Sequence, residues 1–272
     1  SKPFLAWAVL TRAAKRWQGR HGRETCCRLI AFETHYDRLQ FKGRRRTEQA
    51  SDGHGYFASS GQETSGSMTS LAPSYGWQSA AKTYSHAKLL PLVARLARDY
   101  GTQSFLDIGA GNGSALPFWQ QQGWRVAAME PDEEGYAFSK QVPGVDVRRL
   151  GVEDALPPEW HSAFDTVVSL EVVEHLFNPE SLVQVCERAL RPGGHAMIST
   201  PYHGYLKNVA ISMAGKWDYH HHPLRIGGHI KFWSEATLTK LFEKRTFTKV
   251  AFHGVGRLPF LWKSMLLVFQ RT

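Results

Sequence analysis

Short runs of β-favouring, largely apolar residues recur through the last two-thirds of the chain, and helical spacing lies between them. The runs are SFLDI at 104–108, WRVAAME at 124–130, VDVRRLG at 145–151, FDTVVSLE at 164–171 and HAMISTP at 195–201. Before the first, Leu89, Leu92, Val93 and Leu96 recur at helical intervals, with Pro91 expected in a first turn. Ala115, Leu116, Phe118 and Trp119 mark a second helix, and residues 132–141 a third, with Asp132, Glu133 and Glu134 where the helix dipole favours acids. Leu182, Val185, Cys186 and Leu190 mark a fourth, expected to stop at RPGG. Strands alternating with helices form right-handed crossovers, which require a parallel sheet covered on both faces. The tail breaks the alternation. A helix at 234–244 precedes KVAFHGVG and SMLLVFQ with no helical pattern between them, so an antiparallel pair is expected at the sheet edge. The expected fold is α/β: a doubly wound, seven-stranded, mostly parallel sheet with an antiparallel C-terminal strand pair.

Composition sets the bounds. At 272 residues and 42% hydrophobic content, one sizeable core is within reach. No apolar run approaches the roughly eighteen residues of a spanning helix. Cys26, Cys27 and Cys186 are an odd set without CxxC spacing, which argues against a disulfide framework or zinc site and fits a reducing, cytoplasmic setting. The net charge of +9 is concentrated in residues 1–67, which hold 12 Lys or Arg against 6 Asp or Glu. That segment mixes basic stretches with the polar tract SDGHGYFASSGQETSGS. It is expected to be a basic, poorly ordered extension, with residues 68–272 forming the functional domain and Met68 a sensible start for it. No base-stacking or groove-reading motif accompanies the charge, so a nucleic-acid partner is not expected.

The first strand runs into LDIGAGNG, with Gly109, Gly111 and Gly113 at alternate positions. In open α/β sheets ligands bind beyond the carboxyl ends of the strands. Glycine there accepts positive φ and exposes bare backbone, and the next helix offers unpaired N–H groups. Asp107 precedes the turn, and Glu130 ends the second strand, where an acid can accept both hydroxyls of a ribose. The third glycine arrives one residue earlier than in the G-x-G-x-x-G dinucleotide fingerprint, with Ser114 in the usual slot.

These residues resemble the class I S-adenosylmethionine-dependent methyltransferases, over about Ala80–Thr272. The resemblance rests on LDIGAGNG, AAMEPD, GVEDALP, FDTVVSLEVVEHL and LRPGG, in that order. EVVEHLFNP with LRPGGHAMISTP is most similar to the UbiG-like small-molecule O-methyltransferases of quinone biosynthesis. The resemblance implies a Rossmann-like sheet and S-adenosyl-L-methionine as cofactor. It implies that Gly109 and Gly111, with Asp107 nearby, line the amino-acid end of that cofactor, with Gly113 a further cofactor-binding residue. Glu130 would hold the ribose, with Asp132 close by, and Glu153 or Asp154 would border the adenine. Leu170 and Glu171 would flank the sulfonium. Where relatives of the UbiG type carry an upstream arginine, this chain offers Lys82, Tyr84 and Lys88.

A hydroxyl acceptor must lose a proton, and His175 is the candidate base, beside Glu171 and Glu174 just past the fourth strand. Packing or loop capping is the alternative role for His175, and a divalent ion held by these residues is another reading. Residues 202–233 form an insertion expected to roof the acceptor pocket. Within it Tyr205, Leu206, Val209, Ala210 and Met213 make an apolar helical stripe with Lys207 and Lys216 nearby. The stripe either packs on the core as a lid or meets a membrane surface or greasy substrate tail, the contact falling at 202–216. His229, after the hinge-like Gly227–Gly228, is a second candidate facing the acceptor. His220, His221 and His222 are expected in a loop and not around a metal, because three adjacent residues cannot readily face one ion. Trp77, Tyr84, Tyr202 and Trp262 are candidate pocket walls. The expected activity is methyl transfer to a small acceptor, at a hydroxyl of an aromatic or lipid-linked compound. An NAD(P)-dependent oxidoreductase and a noncatalytic cofactor-binding partner module are the alternatives.

Overall fold

The computed structural model describes residues 86–221, 223–224 and 227–272. The expected extension over 1–67, and the expectations for Trp77, Lys82, Tyr84 and His222, lie outside the described residues. The elements in chain order are α1 (His86–Asp99), β1 (Ser104–Ile108), α2 (Leu116–Gln120), β2 (Arg125–Met129), α3 (Glu133–Ser139), β3 (Asp146–Arg148), β4 (Phe164–Leu170), α4 (Pro179–Ala189), β5 (Leu190–Pro201), α5 (Tyr205–Met213), α6 (Trp217–His221), α7 (Glu235–Glu243), β6 (Phe247–Val255) and β7 (Ser264–Arg271). The seven strands form one sheet in the order β3-β2-β1-β4-β5-β7-β6. The pairs from β3 to β5 are parallel, and β7 runs antiparallel to both β5 and β6. The order reverses between β1 and β4, which places the switch point at the carboxyl end of β1.

Strand periodicity sorts the side chains onto two faces. Leu106, Ile108, Met129, Val167, Ile198, Leu267 and Phe269 pack under α4 and α7, with Leu182, Val185, Cys186, Leu238 and Phe242. Phe105, Ala128, Val168, Met197, Leu266 and Val268 pack under α1 and α2, with Leu89, Val93, Ala97, Leu116 and Trp119. Burial on both faces explains why the strands read as nearly continuous apolar runs.

Three local expectations need correction. Pro91 lies inside α1, beyond its first turn. Its missing N–H leaves the Ala87 carbonyl without an intrahelical donor, and Ala87 is exposed so water can serve it. RPGG does not simply stop a helix but belongs to β5, as a bulge between the Phe164–Leu190 and Thr166–His195 pairings. His220 and His221 stand on the short helix α6, with the His221 ring stacked against His203 and edge-on to Phe232.

The insertion holds the clearest departure from ordinary helix patterning. In α5 the apolar stripe does not face the core. Lys207 is the buried residue, at 4% exposure, while Tyr205, Leu206 and Met213 are 71%, 56% and 85% exposed. No described helix is long and apolar enough to cross a membrane.

Candidate active site

The turn after β1 is a left-handed corner, with Gly109, Gly111 and Gly113 at φ 76°, 56° and 72°. Gly109 donates its N–H to the Met129 carbonyl at 2.8 Å, tying the turn to the end of β2. A Cβ on Gly109 would stand 2.6 Å from Val172 Cγ2, so the residue after Glu171 packs directly on bare backbone. Gly113 is required for a different reason: its Cβ would meet Ser139 Cα at 2.6 Å, at the end of α3.

Glu130 leaves β2 and turns its carboxylate across this corner. Oε2 accepts the Gly111 N–H at 2.6 Å and Oε1 the Asp132 N–H at 3.0 Å. The residue is 4% exposed. Burial pushes its pKa up to about 7, opposed by those two hydrogen bonds. Each oxygen keeps a further acceptor site, which suits a pair of vicinal hydroxyls. Asp132 caps α3, its Oδ1 accepting the Gly135 N–H at 2.8 Å. Asp107 shares the β1 face of Phe105 and accepts the Trp119 indole N–H at 2.8 Å. Burial raises its carboxyl to about 6, against the lowering effect of that bond. Asp154 closes its own turn by accepting the Gly151 N–H at 2.7 Å, and Glu153 is exposed beside it. Lys88 lies exposed on α1.

Past β4 the chain collects a second set of polar groups. Leu170 is half-buried. Glu171 adopts φ 57°, a conformation that costs a non-glycine residue about 1–3 kcal/mol. Its N–H donates to Ser199 Oγ at 3.0 Å, Ser199 Oγ donates to its Oε1 at 2.8 Å, and Ser264 Oγ donates to its Oε2 at 3.2 Å. Burial raises its carboxyl to about 7, while the two serine bonds and the Lys207 ammonium pull it down. Lys207 itself is lowered to about 8, chiefly by burial, and its Nζ lies 3.4 Å from the Lys263 carbonyl.

Glu174 is 1% exposed, and neither carboxylate oxygen has a hydrogen bond of ordinary geometry. Burial first, and the neighbouring Glu171 carboxylate second, push its pKa well above the usual range. His175 Nε2 and His229 Nε2 stand 4.0 Å and 3.9 Å from Glu174 Oε1. The two imidazole rings are 4.9 Å apart and edge-on. His175 Nδ1 is 3.2 Å from the Gly228 carbonyl; an oxygen there can only accept, so Nδ1 carries the hydrogen in the neutral ring and Nε2 the lone pair. Ligand atoms of Glu174, His175 and His229 all lie within 4.8 Å of one another.

The structure thus brings His175 and His229 together across 53 residues of sequence, through a turn in which the Ile230 and Lys231 N–H groups both bond the Glu174 carbonyl. Tyr202 and Trp262 meet edge-on at 5.1 Å. Ser199 and Ser264 carry no sequence signal: they are strand residues whose role appears only when β5 and β7 are aligned beside β4. The burial of Lys207 was likewise illegible, because its apolar neighbours mark the opposite face as the inner one.

A family model described as a methyltransferase domain matches residues 81–251. A protein named probable S-adenosylmethionine-dependent methyltransferase, from Mycolicibacterium smegmatis, is 30% identical over 60% of this chain and 60% of its own length. A ubiquinone biosynthesis O-methyltransferase from Paracidovorax citrulli is 33% identical over 35% of this chain and 42% of its own. The chain therefore spans about half the length of the curated relatives it matches. Among solved structures, the PH0226 protein from Pyrococcus horikoshii superposes with a TM-score of 0.54 at 17% identity, covering 69% of this chain and 89% of that one. A Burkholderia thailandensis 1,6-didemethyltoxoflavin-N1-methyltransferase superposes with a TM-score of 0.50 at 20% identity, covering 67% and 77%. Both structural likenesses speak to the fold.

Proposed function

The chain belongs to the methyltransferase-domain family, in the class I S-adenosylmethionine-dependent superfamily, and on that premise we propose that it methylates a hydroxyl of a small aromatic or lipid-linked acceptor. One observation carries the cofactor half of this reading. At the switch point a buried carboxylate, Glu130, is fixed by the Gly111 and Asp132 N–H groups with acceptor capacity left for a ribose. The family's cofactor is S-adenosyl-L-methionine, which supplies an electrophilic methyl group on a sulfonium. In this reading Asp107 and the Gly109–Gly113 backbone take its amino-acid end, Glu130 and Asp132 its ribose side, and Glu153 or Asp154 its adenine border. Leu170 and Glu171 stand beside the sulfur. A nicotinamide reading would need the later third glycine. Residues 68–272 are then the methyltransferase domain, with 202–233 its roof, working in the cytoplasm on a small molecule.

The acceptor half rests on His175 and His229 beside Glu174. His175 Nε2 takes the acceptor's hydroxyl proton, and the imidazolium so formed lies 4.0 Å from Glu174 Oε1, where its charge favours the ionised form of that buried carboxyl. Such a base contributes roughly 10²–10⁴-fold. His229 shares that carboxylate and orients the acceptor from the roof. The test is a transfer assay with methyl-labelled cofactor and a metabolite extract. Label should enter a hydroxylated molecule with the wild type and fall about 100-fold or more with His175→Ala. Label on no molecule, or on nitrogen alone, would sink the hydroxyl reading.

The convergence of Glu174, His175 and His229 favours a second reading, in which these residues hold a divalent ion that polarises a catechol-like acceptor. Turnover that survives exhaustive chelation decides against it, and turnover restored by adding back a divalent cation decides for it.

A further inference from the structure

Thirteen large hydrophobic side chains are exposed among the described residues, and twelve of them fall in three short segments. Phe177, at 89% exposure, follows β4; the insertion between β5 and α7 carries Tyr205, Met213 and Leu224 among others; and Leu258 and Phe260 stand in the turn from β6 to β7. Topology puts all three at one edge of the molecule. β4 and β5 are parallel and end together, and β7 begins opposite the last residue of β5, in the Pro201–Ser264 pairing. The segments are joined to one another. The Tyr202 N–H donates to the Lys263 carbonyl at 3.0 Å, and the Ile230 N–H to the Glu174 carbonyl at 3.0 Å.

Charge is segregated in the same way. Residues 202–233 and 254–263 hold six Lys or Arg and a single acid, Asp218; Lys207 is turned inward, so the outward cations among the described residues are Lys216, Lys231, Arg257 and Lys263. The rest of 68–272 holds 15 Lys or Arg and 17 Asp or Glu. A rim of outward-facing Met, Leu, Phe and Tyr set among cations, on a domain otherwise close to neutral, has the composition of an interfacial lipid-binding surface. The inversion of α5, lysine inward and apolar stripe outward, makes sense against such a surface and not in water.

We infer that this edge docks on the anionic face of a phospholipid bilayer, with α5, the 224 turn and the 258–260 tip entering the headgroup layer. The docking stands on exposure and charge alone. That it opens the acceptor pocket toward the bilayer rests on the transfer reading above.

The test is sedimentation of the full chain with phosphatidylcholine vesicles, with and without phosphatidylglycerol. The wild type should pellet with the anionic vesicles, less so as salt rises. Met213→Glu/Leu224→Glu/Phe260→Glu should lower the partition by about tenfold or more. Lys216→Glu/Lys231→Glu should erase the preference for phosphatidylglycerol. Unfolding curves and product-cofactor affinity, read without vesicles, should match wild type in both variants, so failed docking and failed cofactor binding remain separate results. The inference falls if the triple variant binds as the wild type does, because the basic residues 1–67 then hold the vesicle. It falls equally if the wild type binds neither vesicle, or if it forms a dimer that the triple variant dissolves.

Discussion

Gly113→Ala and Gly101→Ala form a matched pair that isolates one packing contact beside the glycine turn after β1. The two glycines have nearly the same backbone, φ +72° and +71°. Alanine at such a φ costs about 1–2 kcal/mol, and its effect on the unfolded chain is the same at both sites, so both contributions cancel in the comparison. The surroundings differ. At Gly101 a new Cβ meets nothing within 4 Å, whereas at Gly113 it lies 2.6 Å from Ser139 Cα and 2.9 Å from Ser139 Cβ. Ser139 is fully buried and its Cα is backbone, so relief requires the end of α3 to move. Overpacking of this kind costs about 1–3 kcal/mol. Gly113→Ala should therefore lose about 2–5 kcal/mol and Gly101→Ala about 1–2 kcal/mol. In urea the two midpoints should differ by roughly 0.5–1 M at equal slope. The movement would also shift the Asp132 cap and the Glu130 carboxylate bonded to it, so Gly113→Ala should weaken cofactor binding while Gly101→Ala does not. Coincident midpoints would refute the claim that α3 is seated on the bare glycine.

Other consequences follow from the buried acids. Glu130 has its folded pKa raised to about 7 from 4.5, so its contribution to stability is fully present below pH 4.5 and fades as pH rises through 7. Glu130→Gln should thus flatten the stability–pH curve over that window, by up to about 3 kcal/mol, as read by urea unfolding at several pH values. Hydroxyl donation to Glu130 favours its anion, so cofactor binding near pH 7 should release a fraction of a proton, about half at most, detectable by calorimetry in buffers of different ionisation enthalpy. Trp119→Phe removes the donor on buried Asp107 and should cost about 1–3 kcal/mol, more at pH 8 than at pH 5, where the carboxyl can protonate instead.

The order of strands and helices was legible because each strand is buried on both faces and each helix on one, so period and turn chemistry agree. The switch point was legible from LDIGAGNG and Glu130, since a left-handed corner after the first strand needs glycines and the end of the second strand brings an acid against them. The particular reasons were not. Gly113 reads as a ligand contact; that its missing Cβ also makes room for Ser139 has no sequence signal. Asp107 reads the same way; that its carboxylate also accepts the Trp119 indole N–H depends on a helix partner that no local spacing marks. A periodic apolar stripe fixes the angle of a hydrophobic face but not what it meets, which is why the sequence leaves α5 between a lid packed on the core and an outward stripe, and the structure turns it outward. The meeting of His229 with His175 depends on the path of an insertion that no local spacing encodes.

The account depends most on Glu130 as the seat of a ribose. Titration calorimetry of the full chain with S-adenosylhomocysteine, and separately with reduced nicotinamide dinucleotide, tests it. The wild type should bind only the first, and Glu130→Ala should lose that binding while its unfolding remains cooperative. Equal affinity in wild type and variant, or heat from the dinucleotide alone, would contradict it.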